Sequence, residues 1–345
     1  METRAHPYPP SWLDRFTKWV ERLPGRSWVF YPALGLVLAL LLTVVQWGDG
    51  SYPIGTIDTF HIWFAVQTPY FLALTRHLDG AAETALRNFR PVLEVSEEEY
   101  AELRYRLTTA PARPTLLFTL AGFALTVLML SLFPQFLPLF GFSTGGPMAV
   151  IYYVLSFLTL GVAGALVYHT IHQLRLVSHI YAEHAIVNLF DISPLHAFSG
   201  LTSQTAVGLI LYNSMWFATE PLLLSHPVGI MFGIFYTLMT IITFIWPLLG
   251  IHGRLVQEKQ RLLRESSQRL EATIAELHGR VDAGELHSID ELHFTMASLE
   301  IEQSMLTRIP TWPWQPETLR GLVTALLLPL VLFVLQFVLQ RFFAQ

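Results

Sequence analysis

Long apolar blocks alternate with polar segments along the chain. A helix needs about 20 residues to cross a hydrocarbon core of about 30 Å. Seven blocks approach or reach that length, at residues 28–46, 54–74, 115–133, 148–168, 201–217, 228–249 and 319–339. Only helices and closed barrels satisfy their backbone polar groups inside a bilayer. The pattern predicts an all-α membrane protein with seven transmembrane helices.

Lysine and arginine are distributed unevenly between the two sides of these blocks. Of the 21 Lys and Arg residues, all but Arg341 lie in the N-terminal segment or in segments that alternate onto the same side. Basic residues near helix ends are retained in the cytoplasm. We therefore expect a plasma-membrane or inner-membrane protein with a cytoplasmic N-terminus and an external C-terminus. This orientation is the reverse of that of a G-protein-coupled receptor.

The composition narrows the chemistry. The chain is 52% hydrophobic and 14% charged, and it has no cysteine, which excludes disulfides, iron–sulfur clusters and thiol catalysis. Lys18 and Lys259, the two lysines, lie outside the apolar blocks, so a retinal Schiff base is excluded. A net charge of −5 gives nucleic-acid binding no support. No small-residue cleavage site precedes the first block, which is therefore predicted to be a retained helix.

The polar segments divide the chain into four parts. In order, these are a cytoplasmic N-terminal segment, a six-helix transmembrane bundle that includes a cytoplasmic segment, a cytoplasmic helical region, and the seventh transmembrane helix, at residues 1–27, 28–250 (with 76–113), 251–311 and 312–345. Ser96 and Glu99 have the spacing of a capping box and predict a helix start. The fourth and sixth helices are predicted to extend into the cytoplasm, because no breaker follows their inner ends.

A narrow apolar stripe follows the extension of the sixth helix. It recurs every seven residues, at Val256, Leu263, Leu270 and Leu277. Such a stripe favours packing between helices over contact with lipid. It has two interpretations: a hairpin within one subunit, formed with a second helix at residues 288–307, or an interface between subunits. No stretch has the length or strand pattern of a cytoplasmic catalytic domain.

Histidines are concentrated on the fourth helix. His169, His172, His179 and Glu183 share one side of it, and His184 follows. Metal or haem ligation is geometrically possible there. The segment lacks a paired signature such as His-Glu-x-x-His, and the residues start near the inner membrane face. The favoured interpretation is solvated or hydrogen-bonded histidines, with no metal and no cofactor.

Ionisable side chains also interrupt the second block. Asp58 and His61 are three residues apart, and Gln67 follows in the same apolar stretch. Ionisable groups at membrane depth usually face a bundle interior or a water cavity. Because Asp58 is close to the outer end, an interfacial anchor is an equally good interpretation.

Aromatic residues cluster in the outer halves of the predicted helices. Together with the two ionisable residues they are candidates for an outward-facing pocket that takes a small apolar or amphipathic ligand. Simple aromatic packing is the alternative. The candidates are Asp58, His61, Trp63, Tyr153, Tyr212, Trp216, Phe235 and Tyr236.

The last block carries a polar stripe. Pro329, Phe333, Gln336 and Gln340 are separated by four, three and four residues, which places them on one side of a helix. Pro329 removes a backbone hydrogen bond and permits a kink. The stripe is a candidate pore lining, the alternative being that Gln336 bonds a neighbouring helix within one subunit.

The same block carries a family resemblance. Residues 331–335 are five hydrophobic residues followed by Gln336 and Phe337, with Pro329 and Leu330 before them. The run is similar to a motif of the insect odorant and gustatory receptors: Thr-Tyr, five hydrophobic residues, then Gln-Phe. The overlong fourth and sixth helices and the cytoplasmic helix before the last span also resemble this superfamily of seven-transmembrane ligand-gated channels. The resemblance implies a homotetrameric cation channel whose seventh helices line the pore.

Two other function classes remain open. The first is a non-channel membrane scaffold or sensor whose cytoplasmic helices recruit a partner, which a monomeric state would favour. The second is a histidine-using membrane enzyme, which requires a bound metal or haem. The expected function is a channel and not an enzyme.

Overall fold

A computed structural model describes residues 7–132, 134, 145–183, 189, 191–220, 227–284 and 289–343. Within these ranges, the side chains of Val228, Ile289 and eleven residues of the last helix lie outside the description; those eleven are at positions 329, 330, 332, 333, 336, 337 and 339–343.

The described residues form α-helices and short 3₁₀ turns, without a β-strand. The prediction of an all-α chain is confirmed. In chain order the helices are α1 (Trp12–Glu21), α2 (Ser27–Gly48), α3 (Thr59–Phe89), α4 (Glu97–Thr108), α5 (Ala112–Leu132), α6 (Gly146–Glu183), α7 (Ala197–Thr219), α8 (Pro227–Ile245), α9 (Leu249–Asp282), α10 (Ile289–Arg308) and α11 (Pro316–Phe343).

Four helical stretches of the described chain are long and apolar enough to cross a membrane. They are α2, α5, α6 and the stretch Gly229–Asp282, which runs from α8 into α9. Several helices of this kind indicate a multi-pass membrane protein. The three other predicted spans lie in α3, α7 and α11, and stay predictions.

Helix boundaries follow local sequence signals. Ser96 accepts a hydrogen bond from the backbone of Glu99 and the Glu99 carboxylate caps Ser96 in return, so the predicted capping box is confirmed. The fourth predicted helix continues well past its apolar block, to Glu183. The sixth differs from the prediction of an uninterrupted helix: a 3₁₀ turn at Trp246–Leu248 separates α8 from α9. Pro247 lies in that turn, and its missing N–H breaks the α-helical ladder.

Helix α3 occupies the centre of the bundle. It packs against α2, α4, α6 and α7, and residues along most of its length are buried. Hydrogen bonds cross two of these contacts. Thr68 and Thr159 join α3 to α6 with their hydroxyl oxygens 2.9 Å apart, and the Tyr70 hydroxyl donates to the carbonyl of Gly208 on α7 at 2.6 Å.

Helices α5 and α6 approach each other through glycine. A Cβ atom added at Gly122 would overlap the backbone carbonyl of Leu160, and one added at Gly164 would overlap the carbonyl of Phe118. Each glycine therefore faces main chain of the opposite helix. This reciprocal contact uses small residues in the way that closely packed transmembrane helices commonly do.

Helices α9 and α10 form a hairpin outside the bundle. The Lys259 ammonium donates to the carbonyls of Thr307 and Ile309 at 2.7 and 2.8 Å, and Gln303 donates to Ser267 at 3.1 Å. The four stripe residues of α9, at Val256, Leu263, Leu270 and Leu277, are all half-buried in the single chain. Their role between subunits stays a prediction.

Candidate functional site

The candidate pocket residues fall into separate environments, beginning with Asp58. This residue immediately precedes α3 and caps it, accepting hydrogen bonds from the backbone N–H groups of Phe60 at 2.8 Å and His61 at 3.1 Å. The hydroxyl of Tyr52 also donates to its carboxylate, at 3.3 Å. Such a cap is worth about 1 kcal/mol. Asp58 lies in a predicted membrane span, but the helix starts one residue later, so Asp58 is its N-cap.

His61 is buried beside α2 and α6. Its Nδ1 atom contacts the side-chain amide of Gln46, which also donates to the Tyr152 hydroxyl at 3.3 Å. The ring lies 5.8 Å from the ring of Tyr152 and 5.2 Å from that of Tyr52. Asp58 and His61 are thus neighbours with different roles, one capping a helix and the other joining three helices.

Four of the aromatic candidates are brought together between α3, α7 and α8. The Tyr212 ring lies 5.6 Å from that of Trp63, 6.4 Å from that of Trp216 and 5.8 Å from that of Tyr236. The Tyr212 hydroxyl donates to the buried side-chain oxygen of Gln67 at 3.1 Å. These residues form packed aromatic contacts.

Of the two remaining aromatic candidates, Tyr153 lies elsewhere, whereas the Phe235 ring is 5.9 Å from that of Tyr236, at the exposed edge of the cluster. Tyr153 is 38% exposed and Phe235 is 54% exposed.

A groove of about 500 Å³ runs between α3 and α7, away from every predicted pocket residue. Its polar lining is Arg76, His77, Thr84, Asn88 and Gln204.

A buried charged cluster joins three helices at a place that the sequence analysis did not identify. Asp14 of α1, Asp79 of α3 and His169 of α6 are 1%, 6% and 1% exposed. The Nε2 atom of His169 is 2.9 Å from Oδ1 of Asp79, and its Nδ1 atom is 3.9 Å from Oδ1 of Asp14. The imidazole ring therefore lies between two carboxylates. None of these four atoms has a well-directed hydrogen-bond partner.

The N-terminal segment delivers Asp14 to this cluster. Ser11 and Asp14 form a capping box that starts α1. The Oδ2 atom of Asp14 accepts hydrogen bonds from the Ser11 backbone at 3.1 Å, the Ser11 hydroxyl at 2.7 Å and the Ala110 backbone at 3.0 Å. One oxygen is thus fully used by donors, while the other faces His169.

Further hydrogen bonds hold the N-terminal segment against the bundle. The Tyr8 hydroxyl donates to the carbonyl of Thr109 at 2.8 Å, and the Trp12 indole donates to the Thr119 hydroxyl at 2.9 Å. Ser11 also donates its backbone N–H to Ala110 at 3.0 Å. The segment is therefore docked on α4, α5 and α6 by contacts outside the charged cluster.

Burial dominates the electrostatics around Asp79. It raises the pKa of Asp79, more than the nearby His169 and Arg76 lower it. Arg76 itself is paired with Glu21 of α1, and both side chains are partly exposed. In the described part, the Asp79 carboxylate thus has one close partner, His169, which is cationic only when its ring is protonated.

The remaining histidines of α6 do not join a common site. The Nε2 atom of His172 is 3.1 Å from both the Tyr8 hydroxyl and the Arg106 carbonyl. His179 pairs with Glu183 at 3.2 Å on the exposed surface. His184 lies outside the described residues. Within the described part, no three His, Asp or Glu side chains are arranged to hold a metal ion.

The candidate pore stripe lies on α11. Pro329, Phe333, Gln336 and Gln340 belong to this helix, and their side chains lie outside the described part. The described flank, at Val331, Val334, Leu335 and Val338, is exposed. Helix α11 packs mainly against α7.

Comparison with known proteins gives no relative from which a function can be transferred. No family model, no curated protein and no solved structure matches the chain.

Proposed function

We propose that the protein is an oligomeric cation channel of the membrane, with α11 lining the ion path. The observation that supports this is the position of α11 at the edge of the subunit. It has one main neighbour, α7, and its described flank at Val331, Val334, Leu335 and Val338 is exposed, so this flank is available to other subunits. A pore-lining helix needs such a position, because a central pore in a symmetric oligomer lies between the subunits.

The two halves of α11 differ in their contacts. Leu322, near the start, is buried with Ala206, Ile210 and Phe244, and the preceding Trp314 stacks on Phe244 with ring centroids 5.5 Å apart. Farther along, Val331, Val334, Leu335 and Val338 are exposed. The helix is thus anchored at one end, while this described flank can contact neighbouring copies.

The proposal includes seven crossings with a cytoplasmic N-terminus and an external C-terminus. By resemblance to the insect chemoreceptor superfamily, the assembly is a homotetramer gated by a ligand. The aromatic residues around Tyr212 supply the apolar surface for a small ligand. Because that cluster is packed in the single chain, binding there requires the aromatic rings to move apart.

Cation flux into liposomes containing the purified protein tests this proposal. Gln336→Arg places one positive charge per subunit at the proposed pore, and rings of charge control ion entry at close range. We expect the parent and Gln336→Ala to conduct cations and Gln336→Arg to lose most of the flux. The matched control is Val334→Ala, on the described exposed flank of the same helix, which should conduct like the parent.

Oligomer size, measured by size-exclusion chromatography, ensures that a loss of flux is not a loss of folding. Equal flux through Gln336→Arg and the parent would show that Gln336 is not at the ion path. Absence of flux in correctly assembled parent protein would contradict a basal conductance, and α11 helices that lie away from the symmetry axis of the assembly would contradict the channel itself.

One observation favours the scaffold as a second candidate. Phe294, Ile301 and Met305 on α10 are exposed by 71%, 56% and 60%, and their spacing of seven and four places them on one side of the helix. An apolar helical face outside the bundle is typical of a protein-binding surface. A stable monomer without flux would favour this function.

A further inference from the structure

We propose that Asp14, Asp79 and His169 form a proton-binding site whose occupancy fastens the N-terminal segment, residues 8–21, to the bundle. The site is separate from the proposed ion path on α11. It is assembled from α1, α3 and α6, and α1 supplies one of its three ionisable groups.

The arrangement of the imidazole ring requires the proton. Neutral imidazole has one N–H donor and imidazolium has two. Each ring nitrogen of His169 faces the Oδ1 atom of a different carboxylate, Asp79 at 2.9 Å and Asp14 at 3.9 Å. Only the protonated ring presents a donor to both. Without the proton, one carboxylate faces a nitrogen lone pair in a buried site.

The surroundings of Asp79 indicate how docking depends on pH. The closer of the two contacts is that of His169 with Asp79, at 2.9 Å, so the exchangeable proton is assigned to this pair. Burial raises the pKa of Asp79. A group whose pKa is raised by folding contributes stability below its unfolded pKa, and this contribution is lost as the pH rises through the folded pKa. Docking of the segment should therefore weaken toward alkaline pH.

The other titratable and charged groups around the cluster do not replace this proton. From the packed elements they are Tyr8 before α1, Tyr31 on α2, Arg76 on α3, Tyr105 and Arg106 on α4, and His172 on α6. Arg76 is paired with Glu21, and Arg106 with Glu102. Burial raises the pKa of Tyr8 and of Tyr105, so both remain neutral at physiological pH.

Release of the segment can be followed with a cysteine, because the chain has none of its own. Val20 on α1 is fully buried, whereas Lys18 on the same helix is exposed. The experiment measures the rates at which a soluble maleimide modifies the full-length purified variants Val20→Cys and Lys18→Cys. The rates are compared between about pH 5.5 and 9, where imidazoles and carboxyl groups with raised pKa values titrate. Dividing the Val20→Cys rate by the Lys18→Cys rate cancels the ordinary pH dependence of thiol reactivity, so a high ratio means that Val20 has become accessible.

We expect the ratio to be low at acidic pH and to rise toward alkaline pH, by at most about tenfold per pH unit for one linked proton. Introduced into both cysteine variants, Asp79→Asn removes one buried negative charge and should keep the ratio low throughout. His169→Gln removes a group that lowers the pKa of Asp79, so its ratio should still rise with pH, through the titration of Asp79 alone. The double substitution Asp79→Asn with His169→Gln should abolish that rise and keep the ratio low. Asp282→Asn removes an exposed carboxylate from α9 and should behave like the parent.

A ratio that stays constant with pH in the parent background would overturn the proposal. So would an unchanged rise in Asp79→Asn, which would assign the pH response to groups outside the cluster. If His169→Gln fails to fold, Asp79→Asn still decides between these outcomes.

Discussion

Gly122→Ala is expected to lower the thermal stability of the protein in detergent. The added Cβ atom would overlap the backbone carbonyl of Leu160, and main chain cannot move aside as a flexible side chain can. Helices α5 and α6 must separate or shift. Overpacking of this kind costs about 1–3 kcal/mol and occasionally more.

Gly250→Ala is the matched control for this substitution. Gly250 also lies in a helix, α9, and a Cβ atom there would meet nothing within 4 Å. In a helix interior, alanine is more favourable than glycine by about 1 kcal/mol, and this is an upper bound at Gly250, the second residue of α9. The two substitutions should therefore change the melting temperature in opposite directions. An unchanged or higher melting temperature for Gly122→Ala would show that α5 and α6 are not in close backbone contact.

His169→Leu is expected to destabilise the protein by about 3–5 kcal/mol, the usual effect of removing one partner of a buried ion pair. The change leaves the carboxylates of Asp14 and Asp79 buried without the ring between them. The loss should appear as a lower midpoint in denaturant or heat. Because the buried Asp79 carboxylate then lacks a cationic partner, adding Asp79→Leu should recover a large part of the lost stability.

His179→Leu provides the comparison on the same helix. His179 is paired with Glu183, but both side chains are about half exposed, and exposed pairs contribute about 0–1 kcal/mol. The unfolding midpoint of His179→Leu should therefore stay near that of the parent. A His169→Leu midpoint equally close to the parent, or additive effects of His169→Leu and Asp79→Leu, would show that the two residues are not coupled.

The helical organisation follows from local signals in the sequence. The all-α class, the capping box at Ser96 and the long fourth helix were all predicted, because periodicity and caps are properties of neighbouring residues. The turn at Pro247 was missed, although proline signals a break. Asp58 was placed inside a span because it lies in an apolar block, whereas its side chain is an N-cap that starts α3.

The buried cluster depended on information that single segments do not carry. His169 was recognised as one of several histidines on α6, but its burial depends on α1 and α3 packing over it. Asp79 lies among the apolar positions of α3 beside Leu78 and Ala82, and this was a usable signal. Ser11 and Asp14 have capping-box spacing before Leu13 and Val20, so the start of α1 was also readable. The meeting of these three segments is a tertiary property.

A structure of the protein determined in lipid nanodiscs tests the central claim most directly. We expect a symmetric assembly of four copies, each crossing the bilayer seven times, with the four α11 helices surrounding the central axis and Gln336 turned toward it. A monomer, or an assembly in which α11 faces lipid away from the symmetry axis, would contradict the channel.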